Sequence, residues 1–212
     1  MSAPQVSSQI VAVAFDCGGV MTRPRPGDNV EFVSLGLGVD AATVKRTFSV
    51  ARRQLAAGEL SESAFWRGYA SAHGGAVPSD WAATYQAHFA ATVEVHPEMV
   101  ELVNELRSAE IRTAILSNVI PSRVPVYRDL GVYDGFDPLV LSCDVGMVKP
   151  HREIFEHLLQ RLDLNASRVV FVDDKAANIE AAREVGLQAI QFSSHGELRA
   201  GLRGYGVPLQ AD

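Results

Sequence analysis

Cysteine is scarce in this chain of 212 residues: there are two, Cys17 and Cys143, far apart. That excludes a disulfide framework and a cysteine-built zinc site, and it fits a reducing cytosol. Long apolar runs are missing too. None approaches the roughly 20 consecutive apolar residues of a membrane helix. The N-terminus has no basic segment, and its apolar run is only about half a signal-peptide core. A cytoplasmic protein with no membrane partner is expected. Positive charge is not in excess: 19 Lys and Arg against 25 Asp and Glu leave a formal net charge of -6. No nucleic-acid partner is expected, because such a partner wants a basic face. An anionic small molecule stays open, since one local cation or metal outweighs a modest global charge at short range. There is no internal repeat and no low-complexity segment. What the chain does have is 47% hydrophobic residues, enough to bury the core of one large domain, or of a domain plus an insert.

The organising stretch is Val11-Ala12-Val13-Ala14-Phe15-Asp16-Cys17-Gly18-Gly19-Val20. Its apolar run shows no polar alternation, so it reads as a strand over about 10–15, buried on both faces as in a parallel sheet. Asp16 then sits at the carboxyl end of that strand, the edge where open α/β sheets bind ligands. Residues 1–9 read as loose. Residues 21–30 read as a loop beside that edge, because two prolines and a glycine argue against a regular element.

From about 31 to 93 the pattern is helical throughout. Asp40 is a plausible N-cap, with Val44, Phe48, Ala51 and Leu55 at helical spacing and Gly58 as terminator. Ser61 can cap a second helix carrying Phe65, Tyr69 and Ala72, which ends at Gly74-Gly75. Ser79 can cap a third, with Trp81, Tyr85 and His88 on one stripe. These aromatic stripes read as packing surfaces of a small bundle. From Val95-His96-Pro97 onward, strands and helices alternate. Met99, Leu102, Val103 and Leu106 mark a helix, and 111–116 a strand ending in Ser117-Asn118. Residues 119–137 are loop and short helix. A brief strand follows at 139–141, then a helix with Pro150 in its first turn and Ile154, Phe155, Leu158, Leu159 and Leu162 on its buried face. Strands at 169–172 and 188–192 flank a helix that buries Ile179, Ala182 and Val185 and stops at Gly186. The expected fold is α/β: a doubly wound, parallel, five-stranded Rossmann-like sheet from residues 1–20 and 95–212, with an all-helical cap over 21–94 inserted after the first strand.

A parallel sheet brings Asp16, Ser117-Asn118 and Asp173-Asp174 to one edge, and Lys149 can reach it from the loop after the third strand. Three carboxylates against one lysine leave an excess of two negative charges. Mg²⁺ suits hard carboxylate oxygens and would cancel that excess. An aspartate so placed can attack phosphorus, and Ser117 and Asn118 can donate to phosphoryl oxygens.

With Phe15-Asp16-Cys17-Gly18-Gly19-Val20, Leu116-Ser117-Asn118, Gly146-Met147-Val148-Lys149-Pro150 and Phe171-Val172-Asp173-Asp174, the chain resembles the haloacid dehalogenase superfamily of hydrolases, with its type 1 cap. Residues 58–66 further resemble a subgroup near bacterial glucose-1-phosphate phosphatases and the phosphatase domain of soluble epoxide hydrolase. The resemblance implies Asp16 as nucleophile and Mg²⁺ ligand and the Gly18 carbonyl as a second ligand. It implies Asp174 as a direct ligand, and Asp173 as a ligand through water or as the group orienting Lys149. Ser117 and Asn118 would hold the phosphoryl group and Lys149 would neutralise it. The substrate would be a small phosphorylated metabolite, the protein a monomer or a homodimer. One departure stands out. Phosphatases of the family usually carry a second aspartate two residues after the nucleophile as general acid and base, and here that residue is Gly18. A slow enzyme, a good leaving group or a substitute acid from the cap is therefore expected. The alternatives are an impaired metabolite- or phosphate-binding protein, or a 2-haloacid dehalogenase, which Asp173-Asp174 argues against. Arg23 and Arg25 read as solvated, the six histidines as packing or surface, Cys17 as an apolar filler, and Gly36 and Gly38 as no phosphate loop.

Overall fold

The structure is a computed structural model and describes residues 9–24, 29–74 and 76–210. The expectations for residues 1–8, Arg25 and Gly75 lie outside the described residues. The chain opens with strands β1 (Ala12–Phe15) and β2 (Thr22–Pro24), then helices α1 (Asn29–Leu37), α2 (Ala41–Ala56), α3 (Glu62–Ala72) and α4 (Trp81–Thr92). Strand β3 (Val93–Val95), helix α5 (Pro97–Ser108), strand β4 (Arg112–Ser117) and helix α6 (Arg123–Asp129) follow. Then come β5 (Leu139–Leu141), α7 (Ser142–Val145), α8 (Arg152–Leu162), β6 (Val169–Asp173), α9 (Ala176–Val185), β7 (Gln188–Gln191) and α10 (His195–Gly204).

Five of the strands form one parallel sheet in the order β5-β4-β1-β6-β7. Every residue of β1 is fully buried. Alternate side chains go to opposite faces of a strand, and here each face has its own core. Val13 and Phe15 pack with Met99, Leu102 and Leu106 of α5 and Leu202 of α10. Ala12 and Ala14 pack with Ile154, Phe155 and Leu158 of α8 and Ile179 of α9. Burial on both sides is why the strand reads as an unbroken apolar run. The chain leaves β1 toward β4 and β5 on one side and returns to β6 and β7 on the other. The switch point therefore lies at the carboxyl end of β1, beside Asp16.

Helices α1–α4 share a separate apolar cluster that includes Val33, Val44, Leu55, Trp66, Trp81 and Tyr85, joined by Ile120 from the loop after β4. Gly36 is needed there: a Cβ on it would stand 2.4 Å from Trp81 Cζ3. The Asp40 and Ser61 side chains accept hydrogen bonds from the Thr43 and Ala64 amides as N-caps. Ser79 does not cap; α4 starts after Asp80, which makes no side-chain cap bond.

Two further expectations are corrected. Part of the loop over 21–30 is strand: β2 pairs antiparallel with β3, Arg23 opposite Glu94. These two strands carry the chain into and out of the helices. Paired main-chain groups outweigh the local preference of Thr22-Arg23-Pro24, and Arg23 forms an ion pair with Glu94 at 3.2 Å. Pro150 lies ahead of α8 and not in its first turn; His151 is the N-cap. Helices α7 and α10 were not anticipated. No helix among the described residues is long and apolar enough to cross a membrane.

Candidate active site

The register places the site. Phe15 lies beside Ile115 and Val172, so Asp16 is level with Asp173 and one residue short of Ser117. The Asp16 amide donates to the Val172 carbonyl at 2.8 Å, continuing the ladder one residue past the strand. Asp16 Oδ1 accepts from the Cys17 amide at 2.7 Å and faces Lys149 Nζ at 2.9 Å. Its Oδ2 has Lys175 Nζ at 4.0 Å.

Lys149 is buried, and its ammonium is fully engaged. Besides Asp16, it donates to Asp173 Oδ2 and to the Leu116 carbonyl, each at 2.7 Å. Three acceptors for three N–H donors fit a charged lysine held in one position. Burial works against that charge, but Asp16 and Asp173 outweigh it and raise the Lys149 pKa. Burial likewise opposes ionisation of Asp173. Lys149, the Lys175 amide and the Asn178 amide overcome it and hold Asp173 below the usual carboxylate range. For Asp16 burial prevails, despite Lys149, and pushes the carboxyl up. A buried carboxyl that resists ionisation gains from a further cation nearby.

Asp174 is half-exposed, yet its Oδ1 is shut off from solvent and accepts no hydrogen bond among the described residues. Lys175 Nζ is 3.4 Å from it. The carboxylate lies against Gly19, where a Cβ would come within 2.8 Å of it; Gly19 also has φ +93°, so glycine is required twice over. Asp16, Asp173 and Asp174 each offer an oxygen, all within 4.8 Å of one another. This donor set, with one buried oxygen that accepts no hydrogen bond among the described residues, fits a hard divalent cation.

Ser117 is buried at the end of β4, beside Leu141. The Asn118 amide is committed to the neighbouring loop. It donates to the Lys149 carbonyl and accepts from the Lys149 amide, both at 2.8 Å. That pairing fixes the backbone from which Lys149 reaches the carboxylates, and leaves one Asn118 N–H for a ligand. Gly18 is exposed, and its backbone is outside the left-handed region. Among the described residues a Cβ there would meet only Tyr127 Oη, at 3.9 Å. Burial pushes the Tyr127 phenol up and the Cys17 thiol up, so both keep their protons.

A cavity of about 400 Å³ opens over Asp16, Asn118, Lys149 and Lys175, with Arg52 and Arg53 of α2 also lining it. Lys175 and the α2 arginines are additions to the expected set. Lys175 stands next to Asp174 in the sequence and halves the excess negative charge counted from sequence. Arg52 carries a weaker signal: Ser49, Arg52 and Arg53 are the polar residues of α2 that border the cavity, beside the buried face of Val44, Ala51 and Leu55.

A protein-family model described as haloacid dehalogenase-like hydrolase matches residues 10–186. A sesquiterpene phosphatase of Aspergillus oryzae is 31% identical over 96 residues, 45% of this chain and 49% of that protein. Bifunctional epoxide hydrolase 2 of Mus musculus is 44% identical over 55 residues, 26% of this chain and 10% of that protein. The chain spans about half the length, or less, of the first curated relatives it matches. Among solved structures, a HAD family enzyme from Bacteroides thetaiotaomicron in complex with magnesium and inorganic phosphate superposes with a TM-score of 0.73 at 20% identity, covering 87% of this chain and 94% of that one.

Proposed function

The chain belongs to the haloacid dehalogenase-like hydrolases, and we propose that within them it is a Mg²⁺-dependent phosphomonoester hydrolase that works through a phosphorylated Asp16. The carrying observation is the trio Asp16, Asp173 and Asp174, with oxygens within 4.8 Å of one another and Asp174 Oδ1 buried without a hydrogen bond. These residues and the Gly18 carbonyl would hold the ion. A bound Mg²⁺ supplies positive charge that lets an anionic substrate approach a carboxylate and that stabilises the transferring phosphoryl group.

The protein's own residues do the rest. Asp16 is held by the Cys17 amide and Lys149, so its carboxylate cannot rotate away from the substrate. It attacks phosphorus, the ester P–O bond breaks, and the leaving oxygen takes a proton from water and departs as the alcohol. Water then hydrolyses the aspartyl-phosphate and restores the carboxylate. Lys149 and Lys175 offset the charge on the phosphoryl oxygens, while Ser117 and the remaining Asn118 N–H donate to them. Gly18 stands where the family's phosphatases usually carry an acid, so protonation of the leaving alcohol is the weak step. Residues 21–94, the cap, close over the sheet edge on the β2–β3 connection and exclude water from the cavity. The substrate is a small phosphorylated metabolite. The phosphatase reading is preferred to a 2-haloacid dehalogenase because paired carboxylates at 173 and 174 serve a metal, which attack on carbon does not need.

A parallel assay tests this choice. The protein is offered p-nitrophenyl phosphate and a set of sugar phosphates, and separately 2-haloacids, with release of phosphate and of halide measured. Phosphate without halide is expected. Halide without phosphate would replace this reading with the dehalogenase.

A further inference from the structure

We propose that the preferred substrate carries a second anionic group besides the phosphate, and that Arg52 of the cap holds it. The inference rests on the phosphatase reading and deepens it. Four cations border the cavity: Lys149, Lys175, Arg52 and Arg53. Three of them already have carboxylate partners. Lys149 lies between Asp16 and Asp173, and Lys175 stands 3.4 Å from Asp174. Arg53 forms a two-pronged pair with Glu59 at 2.9 and 2.6 Å. Among the described residues Arg52 has no hydrogen-bond or ion-pair partner.

The position of Arg52 is set by the fold. Ala56 and Ala57, at the end of α2, are buried against Val148, the residue before Lys149. The turn that follows presses on α7, where a Cβ on Gly58 would stand 3.2 Å from the Cys143 carbonyl. The end of α2 is thus docked on the loop that carries Lys149. Arg52 lies one turn back from Ala56 on the same stripe, and it borders the cavity from the cap helix, whereas Asp16, Lys149 and Lys175 border it from the ends of the sheet. A phosphoryl group at Asp16 is already surrounded by Lys149, Lys175 and Ser117. A guanidinium brought to the same 400 Å³ space by the cap helix is placed for the rest of a small molecule, and its planar fork suits a carboxylate or a second phosphate.

The test compares two esters alike in size, propyl phosphate and the phosphate ester of 3-hydroxypropionate, by kcat/KM. The protein should prefer the 3-hydroxypropionate ester about 10- to 100-fold, the worth of a charge-assisted hydrogen bond. Arg52→Gln should bring the ratio close to one through a rise in KM, and Arg52→Lys should restore part of it. An even ratio in the parent, or an unchanged ratio in Arg52→Gln, would overturn the assignment. An equal loss for both esters would also overturn it, since Arg52 would then hold the transferring phosphate. If neither alkyl ester is hydrolysed, p-nitrophenyl phosphate decides on the phosphatase reading, which fails separately if that ester is not hydrolysed either. The affinity ratio of the same two esters, read by calorimetry, then decides on Arg52: parity overturns the assignment, and a preference lost in Arg52→Gln supports it.

Discussion

Asp16→Asn is expected to lower phosphate release by at least about 10⁴-fold, because removing the nucleophile from a dissected catalytic unit costs on the order of 10⁶ in kcat. The substitution is nearly isosteric, and the geometry says which contacts survive. Asn keeps an oxygen at Oδ1, where it still accepts from the Cys17 amide and Lys149. The amide nitrogen takes the place of Oδ2, which faces Lys175 at 4.0 Å. Lys149 retains Asp173 and the Leu116 carbonyl, so it is not left as an unpaired buried charge. Thermal melting should therefore move little while turnover vanishes. Steady-state assay beside a melting curve checks both halves. Turnover close to that of the parent would mean that Asp16 is not the nucleophile. Loss of folding together with activity would mean that Asp16 matters first as the counter-charge of Lys149.

Gly18→Asp should have the opposite effect. General acid–base help is worth about 10² to 10⁴ in rate, and among the described residues no acid lies within 4 Å of where a Gly18 side chain would begin. The nearest hydroxyl is that of Tyr127, whose burial strengthens its hold on its proton. An aspartate fits: the backbone accepts a side chain, and the added Cβ meets only the Tyr127 oxygen at 3.9 Å. The expected gain in kcat is about 10²-fold or more with an alkyl phosphate, whose alkoxide needs a proton to leave. With p-nitrophenyl phosphate the gain should be small, because that leaving group carries its own charge. A panel of esters ordered by leaving-group basicity measures the contrast. Equal rates for the variant and the parent on alkyl esters would show that proton donation at this position does not limit turnover.

The fold was legible in the sequence where one physical requirement dominated. Ala12–Phe15 must be buried on both faces, so only a central parallel strand suits it, and the polar residues that stop β1, β4 and β6 must then share an edge. The Asp40 and Ser61 caps were legible because side chain and amide lie within three residues of each other. What escaped depends on partners distant in the chain. Thr22-Arg23-Pro24 becomes a strand only through Val93–Val95, some 70 residues on. The commitment of the Asn118 amide to Lys149 spans 31 positions. Arg52 gains its meaning only when Ala56 and Ala57 dock on Val148. Ser79 and Pro150 were each placed by a local preference that a neighbour supplanted: Asp80 takes the cap of α4, and His151 that of α8.

The most direct measurement is phosphate release from an activated ester by one preparation assayed with Mg²⁺, then with EDTA, then with Mg²⁺ restored in excess. The clustered carboxylates of Asp16, Asp173 and Asp174 lead us to expect turnover in the first assay, background in the second and recovery in the third. Turnover at the same rate in EDTA would contradict a metal held by Asp16, Asp173 and Asp174, and no turnover in folded protein that binds Mg²⁺ would make the chain a binding protein.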